Sequence, residues 1–220
     1  VFLWTGSAKD GLQQMREEPS RRKLAETSLK AINDKKDLPE GYDYLWYLAQ
    51  SNVFSSFTDG KRKGVHAKTT DDFGIIKKPL DIPLTPDSQI SFDWMYKHLP
   101  ALKSETDPAN HDYLSIALEF DNGQDITWMW SKDLEPETIF KCPLPEWQHR
   151  ETHIVLQSGT NGLDEWHSHT RSIQKDYAAA VGGKIPARIT GVWIIGVSVF
   201  GLQQSEALFA NAVVVDDGKT

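Results

Sequence analysis

The sequence predicts a mainly β domain: an antiparallel two-sheet sandwich of jelly-roll type, with a short helical N-terminal segment and one helix near residues 171–181. Three observations carry the prediction. From residue 42 onward apolar side chains recur at every second position in short runs, the period of a half-buried strand. Turn signals separate the runs, and Asp121-Asn122-Gly123 is the strongest of them. Helix-period stretches are few, which argues for a sandwich rather than βαβ units.

The elements follow in chain order. Residues 1–40 are charged and weakly helical. Val1-Phe2-Leu3-Trp4 reads as a first strand or as the stump of a removed leader. Ser20, after Pro19, can cap a helix whose Leu24, Ala25, Ala31 and Ile32 share a side, with Glu26 and Lys30 paired on the other. Leu38-Pro39-Glu40-Gly41 ends it. The expected division is therefore 1–40, a helical segment packed on the domain, and 41–220, the sandwich. Lys61-Arg62-Lys63 reads as a solvated turn. Ile90, Phe92, Trp94 and Tyr96 alternate with Gln89, Ser91, Asp93 and Met95 as one strand. Leu114, Ile116, Leu118 and Phe120 form a second, and Ile126, Trp128 and Trp130 form its hairpin return. Thr152–Gln157 is a further strand. Ile173, Tyr177, Ala180 and Val181 share one helix face, stopped by Gly182-Gly183. Ile189–Phe200 and Ala207–Val215 are apolar on both faces, which predicts central strands covered on both sides.

Composition narrows the function. Apolar residues are 39% and charged residues 25% of the 220, the balance of a globular chain able to bury a full core. The net charge of −7 disfavours nucleic acid, because no basic cluster reverses it locally. No apolar run approaches a membrane span. The expected chain is soluble, either secreted or periplasmic after leader removal or cytoplasmic. A single cysteine, Cys142, rules out an intrachain disulfide and a cysteine-only zinc site; beside Pro143 it reads as a small buried apolar residue. The Gly-rich phosphate loop, the Gly-x-Ser-x-Gly elbow and the His-Glu-x-x-His motif are missing, so nucleotide-dependent and serine-hydrolase chemistry are poorly supported.

Candidate chemistry lies in aromatic and imidazole groups. Eight tryptophans is a high count. Trp128 and Trp130, two residues apart on a strand, share a face and could form a stacking platform for sugar rings or apolar ligands; core filling is the plainer role for each. His167 and His169 point to one side of an extended segment, with His111, His153 or Asp112 as a third metal ligand, but a complete site needs three or four converging donors, so no metal is assigned. His153 interrupts an apolar strand and could face a cleft. Arg171 could hold a carboxylate through its planar fork, or make a structural ion pair. The spacing of Arg171 and Asp176 is not that of a helical pair, so each is expected to find its partner on another strand.

The order of features carries a resemblance. QISFDWMYKHLP (89–100) is followed by HDYLSIALEF (111–120), Trp128 and Trp130, VLQSG (155–159), Trp166, TRSIQKDY (170–177) and Ile189–Val199. This resembles a family of uncharacterised bacterial β-sandwich proteins, a domain of unknown function, over roughly residues 64–216. The resemblance implies a sandwich fold and singles out Trp94, Asp112, Trp130, Trp166, Arg171, Asp176 and Tyr177. It leads one to expect acidic residues after the long strand, where this chain has Gly201-Leu202-Gln203-Gln204. A looser likeness, of fold only, is to carbohydrate-binding modules, polysaccharide lyases and jelly-roll cyclases of natural-product pathways.

The expected function is a small-molecule enzyme of lyase, isomerase or cyclase type, independent of metal, nucleotide or other cofactor, with an apolar or sugar-like substrate in an aromatic-lined pocket. His153, His167, Tyr113 and Tyr177 are its expected proton donors and acceptors. Trp94, Trp128, Trp130, Trp166, Arg171 and Asp112 are its expected substrate-binding residues. The alternatives are a noncatalytic carbohydrate-binding module, and a structural or interaction domain with a possible homodimer partner.

Overall fold

The computed structural model describes residues 38–47 and 52–216. The expected N-terminal strand or leader and the helix after Ser20 lie outside the described residues. The strands are β1 (Asp43–Tyr47), β2 (Phe54–Thr58), β3 (Lys63–Thr69), β4 (Phe73–Pro83), β5 (Ser88–His98), β6 (Tyr113–Phe120), β7 (Asp125–Ser131), β8 (Ile139–Lys141), β9 (Glu151–Ser158), β10 (His167–Ser172), β11 (Arg188–Val197) and β12 (Ser205–Asp216). The helix α1 (Ile173–Ala180) follows β10.

Two sheets face each other. One has seven strands in the order β1-β4-β11-β6-β7-β9-β8, the other five in the order β10-β5-β12-β3-β2. Strand β5 buries every second side chain, as its alternation predicts. Its Phe92, Trp94 and Tyr96 meet Ile116, Trp128 and Trp130 of the large sheet in the inner core. The 121–123 turn joins β6 to β7, with Gly123 in the left-handed region that the turn demands. Helix α1 packs Ile173 and Tyr177 into one edge of that core and stops at Gly182 and Gly183, both left-handed.

Three expectations need correction. The sheets are not wholly antiparallel, because β7 and β9 pair in parallel. A parallel pair needs a long connection, and residues 132–150 supply it, crossing the outer face of the large sheet. Strand β12 is covered on both faces only in its first half; Val213 and Val215 are exposed beyond a bulge in its pairing with β5. Lys61-Arg62-Lys63 is not a free turn: Lys63 opens β3, and Arg62 pairs with Asp93 and lies over the Trp166 ring.

The outer face of the large sheet positions the site. Phe73, Ile75, Tyr113, Met129, Val155, Trp193, Ile195 and Val197 form a second apolar cluster there, covered by Leu134, Phe140 and Trp147 of the crossing segment and by Val199 and Phe200. This is why β11 is apolar on both faces.

Candidate functional site

A group of polar residues interrupts this outer cluster beside Tyr113. Strand β9 directs Glu151 and His153, two residues apart, to the same face. Strand β6 contributes Tyr113, and β7 contributes Thr127, opposite His153 in the parallel register. His111 arrives on the loop before β6, after a single 3-10 turn at Pro108–Asn110 that Asp107 caps through the Ala109 N–H. Cys142 arrives on the crossing segment. All are buried: His111, His153, Thr127 and Cys142 are fully so, and Glu151 is 3% exposed.

Their hydrogen bonds fix several protons. The Tyr113 hydroxyl donates to Glu151 Oε1 over 3.0 Å, and the Thr127 hydroxyl to the same oxygen over 3.2 Å. His111 Nδ1 lies 2.6 Å from the Glu105 carbonyl, which only accepts, so Nδ1 carries the proton. His111 Nε2 then offers its lone pair to the Cys142 thiol, 3.3 Å away. Neither ring nitrogen of His153 has a hydrogen-bond partner, and Glu151 Oε1 stands 3.6 Å from its Nε2. Phe140 stacks on the His153 ring at 4.7 Å.

Burial dominates the electrostatics. It lowers His111 to about 4 against the pull of the Glu105 carbonyl, and it also lowers His153 well below the ordinary range, helped by His111. It raises Glu151 against the hydrogen bonds from Tyr113 and Thr127. It raises the Cys142 thiol and the Tyr113 hydroxyl, and the neighbouring Glu151 charge adds to both. Asp125, also buried, is raised by burial and by Glu151, against the opposing charge of Arg150. Arg150 ties Asp125 to Glu119, so this row of acids is held by one guanidinium.

Beside the cluster lies a cavity of about 20 Å³, room for about one water. Its walls are apolar and aromatic, including Phe73, Ile75, Trp147 and Phe200, and its polar end is His111, Tyr113 and Glu151. Asp112 holds one wall in place: its carboxylate accepts from the N–H groups of Phe200 (3.0 Å) and Gly201 (2.5 Å). A Cβ on Gly201 would stand 3.1 Å from Asp112 Oδ2, so an acid at this position would crowd and repel the carboxylate that anchors the loop.

The expected site residues therefore separate. Tyr113 and His153 do meet, their rings 4.9 Å apart and edge to face. Tyr177 lies in the inner core, where its hydroxyl accepts from Asn122. His167 sits on edge strand β10, its Nε2 donating to the Gly162 carbonyl at 2.8 Å. Trp94, Trp128 and Trp130 are core residues, not a platform, and their indole N–H groups donate to Gln157, Asp176 and the Gly159 carbonyl. Trp166 is partly exposed and stacks on Phe57. Arg171 and Asp176 bond to each other through two N–H groups, at 2.9 and 2.8 Å, contrary to the expected separate partners; the strand-to-helix bend brings them together where helical spacing could not. Arg171 also donates to both carboxylate oxygens of Glu137. His167 and His169 each donate to an oxygen and join no group of three or more metal donors among the described residues, whereas His111 and His153 converge. Glu151, Cys142 and Trp147 went unselected in the sequence. The one available signal was Glu151-x-His153, a pair forced onto one strand face.

Fold and site together define a class: a jelly-roll-like β-sandwich whose larger sheet carries a buried ionisable cluster on its outer face. The chain belongs to the family described as Protein of unknown function (DUF3047), which matches residues 46–213 and so begins before the expected stretch. No curated protein matches the sequence. Among solved structures, the chain is similar to the xyloglucanase domain of NopAA, a type three effector from Sinorhizobium fredii in complex with cellobiose (12% identity, 81% of this chain and 95% of that one, TM-score 0.49). It is also similar to a family 12 xyloglucanase from Bacillus licheniformis (10%, 80% and 93%, 0.46) and to the family 11 xylanase from Neocallimastix patriciarum (14%, 81% and 93%, 0.42). At these scores and identities no residue role passes from them to this chain. No helix among the described residues is long and apolar enough to cross a membrane.

Proposed function

We propose that the domain is an enzyme of lyase, isomerase or cyclase type whose acid–base centre is Glu151, His153 and Tyr113. One observation carries the reading: the Glu151 carboxyl group, at the polar end of an apolar, aromatic-walled cavity, stands 3.6 Å from the imidazole of His153, which is buried behind it and whose ring nitrogens have no hydrogen-bond partner. Burying such groups is costly unless they are used, and ionisable groups displaced from their ordinary range cluster at functional sites. Burial raises Glu151 and lowers His153, the directions that suit a proton donor and a proton acceptor. Tyr113 and Thr127 orient the carboxyl group. The walls suit an apolar substrate or the apolar face of a sugar. A substrate enters by displacing Leu144 and Trp147, since the cavity as closed holds about one water.

The test is a turnover screen of the chain and its Glu151→Gln variant. Uronate polysaccharides report elimination through an ultraviolet-absorbing product, and hydroxy ketones and polyenes report isomerisation and cyclisation. The expected result is turnover of one class, reduced about a hundredfold in the variant, as for loss of an acid–base group. Turnover that is the same in both proteins, or no turnover of any class, removes the reading.

The noncatalytic alternative keeps one observation: of the four tryptophans expected to bind substrate, Trp166 is the partly exposed one. Its ring is already in contact with Phe57 and Arg62, which weakens it as a sugar platform. Oligosaccharide binding that disappears in Trp166→Ala and persists in Glu151→Gln would favour that alternative.

A further inference from the structure

We propose that His111, Cys142, Glu151 and His153 bind one transition-metal ion, with zinc the best match. This rests on the same cluster as the proposed function but does not require that cluster to be catalytic.

The donors come from three separate parts of the chain: the loop before β6, the crossing segment, and two positions of β9. One donor atom from each lies within 4.8 Å of all the others. Zinc–ligand distances of about 2.0–2.3 Å imply tetrahedral edges of roughly 3.3–3.8 Å between donors. Two edges already have that length: Cys142 Sγ to His111 Nε2 at 3.3 Å, and His153 Nε2 to Glu151 Oε1 at 3.6 Å.

His153 is the independent sign of a missing partner. It is fully buried with both ring nitrogens unpaired, an arrangement that native structures rarely leave without a reason. A metal ion supplies the bond that no protein group here supplies. The surroundings already serve such an ion. The Glu105 carbonyl fixes the His111 proton on Nδ1 and frees Nε2 for coordination. The hydroxyls of Tyr113 and Thr127 hold the carboxylate in place.

Charge agrees with the donor count. One thiolate and one carboxylate offset a divalent ion, so the filled centre is neutral and suits its dry position. Binding releases the thiol proton and any proton on Glu151. Two imidazoles, a sulfur and one oxygen match zinc better than magnesium or calcium, which prefer oxygen throughout. Of the four ligands, His111 and Glu151 line the cavity while Cys142 and His153 do not. The ion therefore has a protein side and a cavity side, and Glu151 lies on the latter.

The experiment uses the full chain stripped with a chelator and reloaded with Zn²⁺ or Co²⁺. We expect one equivalent of zinc by elemental analysis, and a thiolate-to-cobalt charge-transfer band with the visible bands of tetrahedral cobalt. Cys142→Ser and His153→Ala each weaken zinc binding at least tenfold, and Cys142→Ser abolishes the charge-transfer band. Tyr113→Phe weakens binding about tenfold through the orientation of Glu151. A natively folded wild-type chain that takes up no zinc, or binds cobalt without a thiolate band, overturns the proposal whatever the variants do. An ion bound by a chain without turnover upholds this inference and removes the acid–base reading. Turnover lost in Glu151→Gln by a chain that binds no ion does the reverse.

Discussion

At the scale of single residues, the molecule holds its acids in two ways. Glu206, on the outer face of the five-stranded sheet, is surrounded by Lys97 at 3.0 Å, Lys68 at 3.1 Å and His66 at 3.1 Å. Burial alone would raise it, but these hydrogen bonds outweigh burial and bring it to about 2. Its folded value thus lies below its unfolded one, so its contribution is present above about pH 4.5 and fades as pH falls toward 2. Glu206→Gln is expected to cost about 1 kcal/mol near neutral pH, the scale of an ion pair whose cations face solvent. Denaturant melts at a series of pH values check it: the gap between wild type and variant should close through that acid window, and a gap independent of pH would show that the charge is not what stabilises. Glu151 is the opposite case, raised by burial with hydroxyl donors and no cation in contact. The sequence concealed that difference. Its alternation placed His153 on a strand and left its direction open. Nor did it show that the lone cysteine, on a separate stretch of chain, folds back over the same face; only the crossing segment brings Cys142 there.

At the scale of elements, legibility follows the number of covered faces. Strands β5, β6 and β7 were readable because their inner side chains alternate or run apolar throughout. The helix was readable from its shared face and its double-glycine stop. Strand β10 was not, because HSHTRS has no apolar alternation; it is held as an edge strand by its ladder to β5 and by side-chain bonds such as Ser168 to Asp93. The parallel β7–β9 pair was hidden because it depends on what covers the outer face. Gly64 of β3 is another feature that pattern alone does not reveal. It pairs with Ala210 just before the β12 bulge, and a Cβ there would stand 1.9 Å from the Phe209 carbonyl oxygen and 2.9 Å from the Ala210 Cα. The backbones approach too closely for any side chain, so Gly64→Ala must separate β3 from β12. We expect a loss of about 1–3 kcal/mol, the range for forced overpacking, read by thermal melting. A variant as stable as wild type would mean that β12 shifts freely at its bulge.

For the whole molecule, the two apolar clusters differ in how they are built. The inner core takes side chains from both sheets and from α1, and its Trp128 is tied to Asp176 and through it to Arg171. It can be opened only by separating the sheets. The outer cluster is covered by Leu45 and Trp46 of β1, by Val199 and Phe200, and by a connection, residues 132–150, that contributes Leu134, Phe140 and Trp147 and has only the three residues of β8 as regular structure. Stability is not uniform in such an arrangement, and elements with few regular backbone bonds open at lower free energy than central strands. Native-state hydrogen exchange should therefore show amides of the 132–150 segment exchanging through a local opening, well before those of β6, β7 and β11. Trp147→Ala should accelerate that opening about tenfold or more, because it removes a large ring from the cover, while leaving exchange in β5 and β12 unchanged. Metal binding offers a sharper contrast, since Cys142 lies on this segment and its proposed co-ligands lie on β9 and the loop before β6. Adding zinc should slow exchange across 132–150 and not across the five-stranded sheet. If the segment exchanges together with β6 and β7 in every state, the outer cover is part of the global fold, and a substrate could not enter the cavity by displacing Leu144 and Trp147.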